Sequence, residues 1–199
     1  GATVVAHTRA DADLRDEAAV VRFAESVRTR HGRWDILVNN AGDQSLGGVA
    51  DLSADDWASM LASNVTGPAL LTREFARLAD GGGSVVNISS IEAFALGGAH
   101  AHYGASKSAL LHLTRTSARE FAAQRIRVNA VCPGLVDRDG LADAWPEGVA
   151  RWNDQSLIGR PGSAEEVADA VLFLASPAAR WITGAALVAD GGLIGGWQW

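Results

Sequence analysis

From Ser84 to Val131 the chain reads SVVNISSIEAFALGGAHAHYGASKSALLHLTRTSAREFAAQRIRVNAV. Two apolar runs, Ser84–Ile88 and Ile126–Val131, flank a helical pattern at Tyr103–Ala123. Apolar strands without polar alternation, joined through a helix, indicate a parallel sheet buried on both faces. The same rhythm extends outward. Strands are expected at Thr3–Ala6, Asp35–Asn39 and Ala186–Val188. A helix is expected at Asp16–His31, with Val20, Phe23, Ala24 and Val27 on one face, and a long one at Ser53–Leu78. Ser53 is placed to cap the long helix, with Asp55 and Asp56 in its first turn. Ser163 opens a helix to Leu174, with Glu166 completing a capping box. The fold class is α/β: a doubly wound parallel sheet in three layers, α/β/α, forming one domain over residues 1–199.

Composition limits the partners. The 199 residues are 48% hydrophobic, and the net charge is -6 with no run among the 17 Lys and Arg. That excludes nucleic acid and anionic membrane as main partners. The single Cys132 excludes an internal disulfide and, in its apolar strand, reads as buried and inert. No His/acid cluster has metal-ligand spacing, so no metal is expected. No apolar stretch approaches the roughly 20 residues of a membrane span and no signal peptide is seen, so a cytoplasmic protein is expected.

The chemistry is carried by Tyr103 and Lys107, with Ser90 upstream. At i and i+4 on a helix, Tyr and Lys share one face, about 5–6 Å apart between Cβ atoms. An adjacent ammonium favours the phenolate, which predicts a lowered pKa for Tyr103 and a role as general acid or base on a carbonyl or alcohol. The Ser90 hydroxyl, at a strand end where ligands of such sheets bind, is suited to hold the same oxygen. Alone, the pair would read as an exposed helical pair.

Asn39-Asn40-Ala41-Gly42, Asn64-Val65-Thr66-Gly67, Asn87-Ile88-Ser89-Ser90, Tyr103-x-x-x-Lys107, Pro133-Gly134 and Asp190-Gly191-Gly192 follow one another in order. With these the chain resembles the single-domain short-chain dehydrogenase/reductase family, and is similar to its 3-oxoacyl-carrier-protein reductases. The resemblance implies a Rossmann-like fold and the interconversion of a ketone and a secondary alcohol by hydride transfer from a nicotinamide. It implies that Tyr103 is the acid/base, that Lys107 tunes it and holds the nicotinamide ribose, that Ser90 orients the substrate oxygen, and that Asn64 holds a relay water. Asn40, Ala41, Gly42, Pro133, Gly134 and Val136 fall at its cofactor contacts. Arg138 stands where the family often has Thr. Arg9 follows the first strand where an acid would select NAD(H), so NADP(H) is expected over NAD(H), with Asp13 and Leu14 at the adenine.

The family's Gly-rich phosphate loop is not in these residues, and the helix after the second strand has no room between Arg9 and Ala10. A sheet without its central first strand would expose two unpaired edges. Two readings stand open. In one, the 199 residues belong to a longer protein that contains the loop. In the other, the chain is a non-catalytic pseudoenzyme or an oligomerisation partner. A halohydrin-lyase-like member without nicotinamide is a further alternative, opposed by Lys107 and Arg9.

A modest-sized carbonyl or alcohol substrate is expected, under a lid at 137–160 that includes Leu141, Trp145, Trp152 and Leu157, with the two Trp either lining an apolar pocket or packing the lid down. Glu92 either touches substrate or forms a local salt bridge. His100 and His102 flank Tyr103; they either line the substrate pocket or, the reading favoured, are half-exposed loop residues. Gly81 and Gln124 stand where carrier-protein reductases are basic, with Arg77 and Arg125 nearby. The resemblance implies a homodimer or homotetramer paired through the two long helices, with Trp197 and Trp199 at a subunit contact.

Overall fold

Val85 and Val86 are neighbours in sequence and both are fully buried, which requires cover on both sides of their strand. The computed structural model, describing residues 2–195, supplies that cover. Strands β1 (Ile36–Asn39), β2 (Gly83–Ile88), β3 (Ile126–Pro133) and β4 (Ala186–Ala189) form one parallel sheet in chain order. Val85 packs with Val20, Leu71, Phe75 and Val128 under helices α1 (Glu17–His31) and α3 (Gly67–Leu78). Helix α4 (Ala101–Glu120) lies on the same side, where Leu111 meets Ala130 and Cys132. Val86 turns to the opposite face and packs with Val131 and Leu174 under α7 (Ala164–Ala175). The sheet is thus covered in three layers, and Cys132 is buried as expected. Among the described residues, no helix is long and apolar enough to cross a membrane.

Helix starts follow the sequence closely. Asp16 caps α1, and Ser53 and Ser163 form capping boxes with Asp56 and Glu166. The long helix differs from expectation in its middle. Helix α2 (Ala54–Leu61) passes through a π-turn at Ala62–Thr66 into α3 without breaking the rod. Helix α4 begins before Tyr103 and ends at Glu120, followed by a short 3₁₀ turn at Ala122–Gln124. Segment 137–160 holds two short helices, α5 (Leu141–Ala144) and α6 (Pro146–Gln155). Its base is pinned by a bridge between Val136 and Gly162.

The expected strand at Thr3–Ala6 does not form. Val4 is 82% exposed, and no described residue pairs with that segment. A parallel strand is held by ladder hydrogen bonds to a neighbour; the free edge of β1, with Ile36 and Val38 partly exposed, does not meet it. Trp197 and Trp199, expected at a subunit contact, lie outside the described residues.

A buried polar chain crosses the core. Asn39 Nδ2 donates to Asn87 Oδ1 (2.8 Å) and Thr72 Oγ1 (3.3 Å), and Asn87 Nδ2 donates to Thr114 Oγ1 (2.9 Å). These amide contacts in a low-dielectric core favour one arrangement of β1, β2, α3 and α4, because any slip would break them, while Asn39 Oδ1 has no partner among the described residues.

Candidate active site

Strand β2 ends at Ile88, and the next two residues deliver the first site groups. Ser89 Oγ donates to Lys107 O (3.0 Å), fastening the strand end to α4. Ser90 caps a 3₁₀ turn at Ile91–Ala93, its Oγ accepting from Glu92 N (3.1 Å). The Ser90 hydroxyl lies near enough to the Tyr103 phenol to act on its ionisation. On α4, Tyr103 is half-buried, whereas Lys107 is buried and donates from Nζ to Ile88 O (2.9 Å). That ammonium stands 5.5 Å from the Tyr103 ring centroid. Ser90, Tyr103 and Lys107 therefore meet at the carboxyl end of β2.

The ionisation of Tyr103 differs from expectation. Burial pushes the phenol above its ordinary 10.0; the Ser90 hydroxyl opposes this and the Glu92 carboxylate adds to it. Burial also draws Lys107 down to about 8. Desolvation outweighs the pairing assumed from spacing, because both charged forms lose water in the same place. A phenol with a raised pKa remains protonated at neutral pH and is available as a proton donor.

Burial of Lys107 has a consequence for stability. Its folded pKa of about 8 lies below the 10.5 of a free chain, so between these values the unfolded chain binds the additional proton. The cost of the buried ammonium is full below pH 8 and lifts as pH rises toward 10.5. Relative to a Lys107→Met variant, the protein is expected to gain about 1–3 kcal/mol between about pH 7 and pH 10. Urea denaturation of both proteins at the two pH values checks this; a constant difference would refute it.

Asn64 sits buried in the π-turn and is held on every side. Its Oδ1 accepts from Asp43 N (2.7 Å), and its Nδ2 donates to Asp43 O (2.8 Å) and Ser106 Oγ (3.0 Å). Ser106 Oγ in turn donates to Tyr103 O (2.7 Å). Sequence reasoning missed Ser106 and Asp43. Ser106 could have been found from its place in Tyr-Gly-Ala-Ser-Lys, three residues after Tyr103 and so on the same helix face. A Cβ added to Gly42 would stand 3.2 Å from Asn64 Oδ1 and 3.4 Å from Lys107 Nζ, so glycine lets the loop after β1 close on both.

That loop leads into a cleft of about 420 Å³, lined by His7, Arg9, Asp13, Leu14, Ala41 and Gly42 among others. Arg9 is largely exposed, with Nε 3.5 Å from Asp13 Oδ2. Arg15, also missed, grips the same carboxylate (Nη2–Oδ2, 2.6 Å) and holds Asp13 well below the usual carboxylate range. Asn40 is exposed at the cleft's edge, directly after β1. The expected adenine-side residues are thus gathered in one concavity, which Gly42 joins to Lys107.

Pro133, Gly134 and Val136 lie at the end of β3. Gly134 N donates to Ala189 O (3.0 Å), and its Cα lies against the Trp152 ring with no space for a Cβ. Trp152 thus packs segment 137–160 against the end of β3. The bridge to Gly162 uses Leu135 O and Asp137 N, which directs the backbone groups of Val136 away from it. Arg138 is exposed beyond this bridge. Trp145 is partly exposed and lies over the backbone of Gly148.

Glu92 makes a local contact with His100, Oε1 to Nδ1 2.9 Å. Both expectations for the histidines need correction in part. His102 is buried on α4 with its ring 6.0 Å from Trp57, because it occupies the face turned toward α2. His100 is the residue preceding α4 and is mostly buried against Glu92 and Tyr103.

A family model described as enoyl-(acyl carrier protein) reductase matches residues 2–194. The chain is 34% identical over 182 residues to meso-2,3-butanediol dehydrogenase of Serratia marcescens, covering 90% of this chain and 72% of that protein. It is 34% identical over 186 residues to a 3-oxoacyl-[acyl-carrier-protein] reductase of Thermotoga maritima, covering 92% and 75%. Among solved structures, a gluconate 5-dehydrogenase of Burkholderia cenocepacia in complex with NADP and tartrate superposes with a TM-score of 0.86 at 30% identity, covering 92% of this chain and 73% of that one.

Proposed function

The chain belongs to the short-chain dehydrogenase/reductase family, and from that premise we propose that it is an NADP(H)-dependent oxidoreductase interconverting a ketone and a secondary alcohol, with Tyr103 as general acid/base. The observation that carries this reading is the convergence of the Ser90 hydroxyl, the Tyr103 phenol and the Lys107 ammonium at one strand end.

The cleft and the close approach of Gly42 to Lys107 suit a dinucleotide. Asp13 and Leu14 would hold its adenine end, Arg9 a 2′-phosphate, and Asn40, Ala41, Gly42 and Lys107 the middle and the nicotinamide ribose, with Pro133, Gly134 and Val136 beside the nicotinamide. When bound, the nicotinamide supplies or accepts the hydride. Ser90 fixes the carbonyl oxygen of the substrate by hydrogen bonding. Tyr103 gives its phenolic proton to that oxygen in reduction and takes it back in oxidation. The raised pKa favours the first role at neutral pH. Lys107 holds positive charge beside the phenolate that reduction leaves behind. Asn64 binds the Asp43 loop to Ser106 and so keeps Gly42 and α4 in place. A lid over residues 137–160, carrying Trp145, belongs to the same reading, as does pairing of subunits through the two long helices.

The test is turnover of 2-butanone and of acetoin, followed by NADPH or NADH absorbance. NADPH is expected to give a kcat/KM at least about tenfold above NADH, and Arg9→Ala to lower that ratio about 10-fold, the scale of one charge-assisted contact. Preference for NADH would reverse the cofactor assignment. No turnover with either cofactor would overturn the function.

A further inference from the structure

We propose that His100, oriented by Glu92, binds a second oxygen beside the reacting carbon, which fits the site to α-hydroxyketones and vicinal diols over simple ketones. This rests on the ketone/alcohol reading of the same site.

Location is the first ground. His100 immediately precedes α4, and its ring centroid is 5.3 Å from that of Tyr103 at a 52° tilt. Glu92 lies on the turn capped by Ser90. The pair joins the segment bearing Ser90 to the segment bearing Tyr103, so the imidazole borders the place where a carbonyl held by those two hydroxyl groups would lie.

The second ground is rigidity. Glu92 Oε1 and Oε2 stand 2.9 and 3.1 Å from His100 Nδ1. The loop leading to His100 is bonded on its other side, Gly47 N to Ala99 O (2.6 Å) and Ala101 N to Gly47 O (3.2 Å). His100 O accepts from Gly104 N (2.9 Å) in the first turn of α4. Gly97 lies so tightly on the Glu92 carboxylate that a Cβ there would overlap it. A side chain fixed by one carboxylate on a backbone that is itself bonded on both sides is the kind of preorganised group that recognition requires.

The third ground is valence. With Nδ1 turned to the carboxylate, Nε2 is the ring nitrogen left for another partner. In neutral imidazole, Nδ1–H donates to Glu92 and Nε2 accepts; in imidazolium, Nε2–H donates. A hydroxyl both donates and accepts, so it satisfies either form, whereas an alkyl group satisfies neither. Next to a simple ketone, Nε2 would lose water without replacement, a penalty that discriminates strongly in buried sites.

The experiment compares acetoin with 2-butanone, both reduced with NADPH, and reads the ratio of their kcat/KM values. Wild-type protein is expected to favour acetoin, and His100→Ala to lower the ratio roughly 10- to 100-fold. His100→Phe keeps a ring against Tyr103 without a nitrogen and is expected to lower the ratio equally, which decides the matter should His100→Ala fail to fold. Glu92→Gln keeps the shape without the charge and should give an intermediate fall, expressed mainly as a higher KM for acetoin. A ratio unchanged within about twofold in the folded His100 variants overturns the proposal. Equal use of both ketones by the wild type also overturns it, while leaving the oxidoreductase reading intact. Reduction of neither ketone removes that reading and the proposal together.

Discussion

Tyr103→Phe is expected to lower kcat for carbonyl reduction by about 10²- to 10⁴-fold, the range for loss of a positioned proton donor. The change deletes one oxygen from a half-buried ring and leaves its packing against His100. Circular dichroism and the thermal midpoint should therefore match the wild type, and stopped-flow reduction under saturating NADPH isolates the chemical step. The pH profile is a second check. Because burial and Glu92 raise the phenol, reduction should remain near its maximum through neutral pH and fall only in the alkaline range. Alcohol oxidation needs the phenolate and should climb with pH over the same interval. A variant retaining more than about a tenth of the wild-type rate would remove Tyr103 from the proton transfer.

Phe75→Ala should have the largest effect on stability. The ring is fully buried, meets Trp34 edge-on at 5.3 Å between centroids, and shares its cluster with Val20, Leu71, Val85 and Val128. It also presses on Gly83, where an added Cβ would stand 2.6 Å from Phe75 Cζ. Truncation leaves a cavity between α3 and the start of β2 that these neighbours cannot fill without moving backbone. The expected loss is about 3–5 kcal/mol, or a fall in Tm of roughly 10 °C. Calorimetry reads it directly, and a fall below about 3 °C would mean that α3 settles into the space.

Much of this molecule is legible locally. The capping boxes at Ser53 and Ser163 follow from residues three positions apart, and β2 and β3 declare themselves by apolar runs with no alternation. The meeting of Ser90, Tyr103 and Lys107 is legible because one βα unit carries all three. Properties that depend on distant chain are not. Thr3–Ala6 has the composition of a strand, yet strand structure requires a partner that no local pattern supplies. The π-turn at Ala62–Thr66 shifts the hydrogen-bond register inside a helical run, which apolar spacing does not reveal. His102 looks like a loop residue until α2 is placed against it. The direction of the Tyr103 shift depends on how much water the fold removes, whereas spacing reports only the neighbouring ammonium.

The sheet's sequential order bears on biosynthesis. Among the described residues each strand lies beside the one made before it, so none of these four has to be threaded between partners already joined. A nascent chain leaving the ribosome can close β1 on β2 while β3 is still unmade. Ser90, Tyr103 and Lys107 will by then have been synthesised, but the floor on which Leu111 seats α4, Ala130 and Cys132, will not. The groups proposed to perform the chemistry are translated well before the surface that aligns them. A ribosome stalled within β3 would therefore hold a chain with every reactive side chain present and no working geometry, and competence would arrive with the synthesis of a strand that contributes none of those three groups.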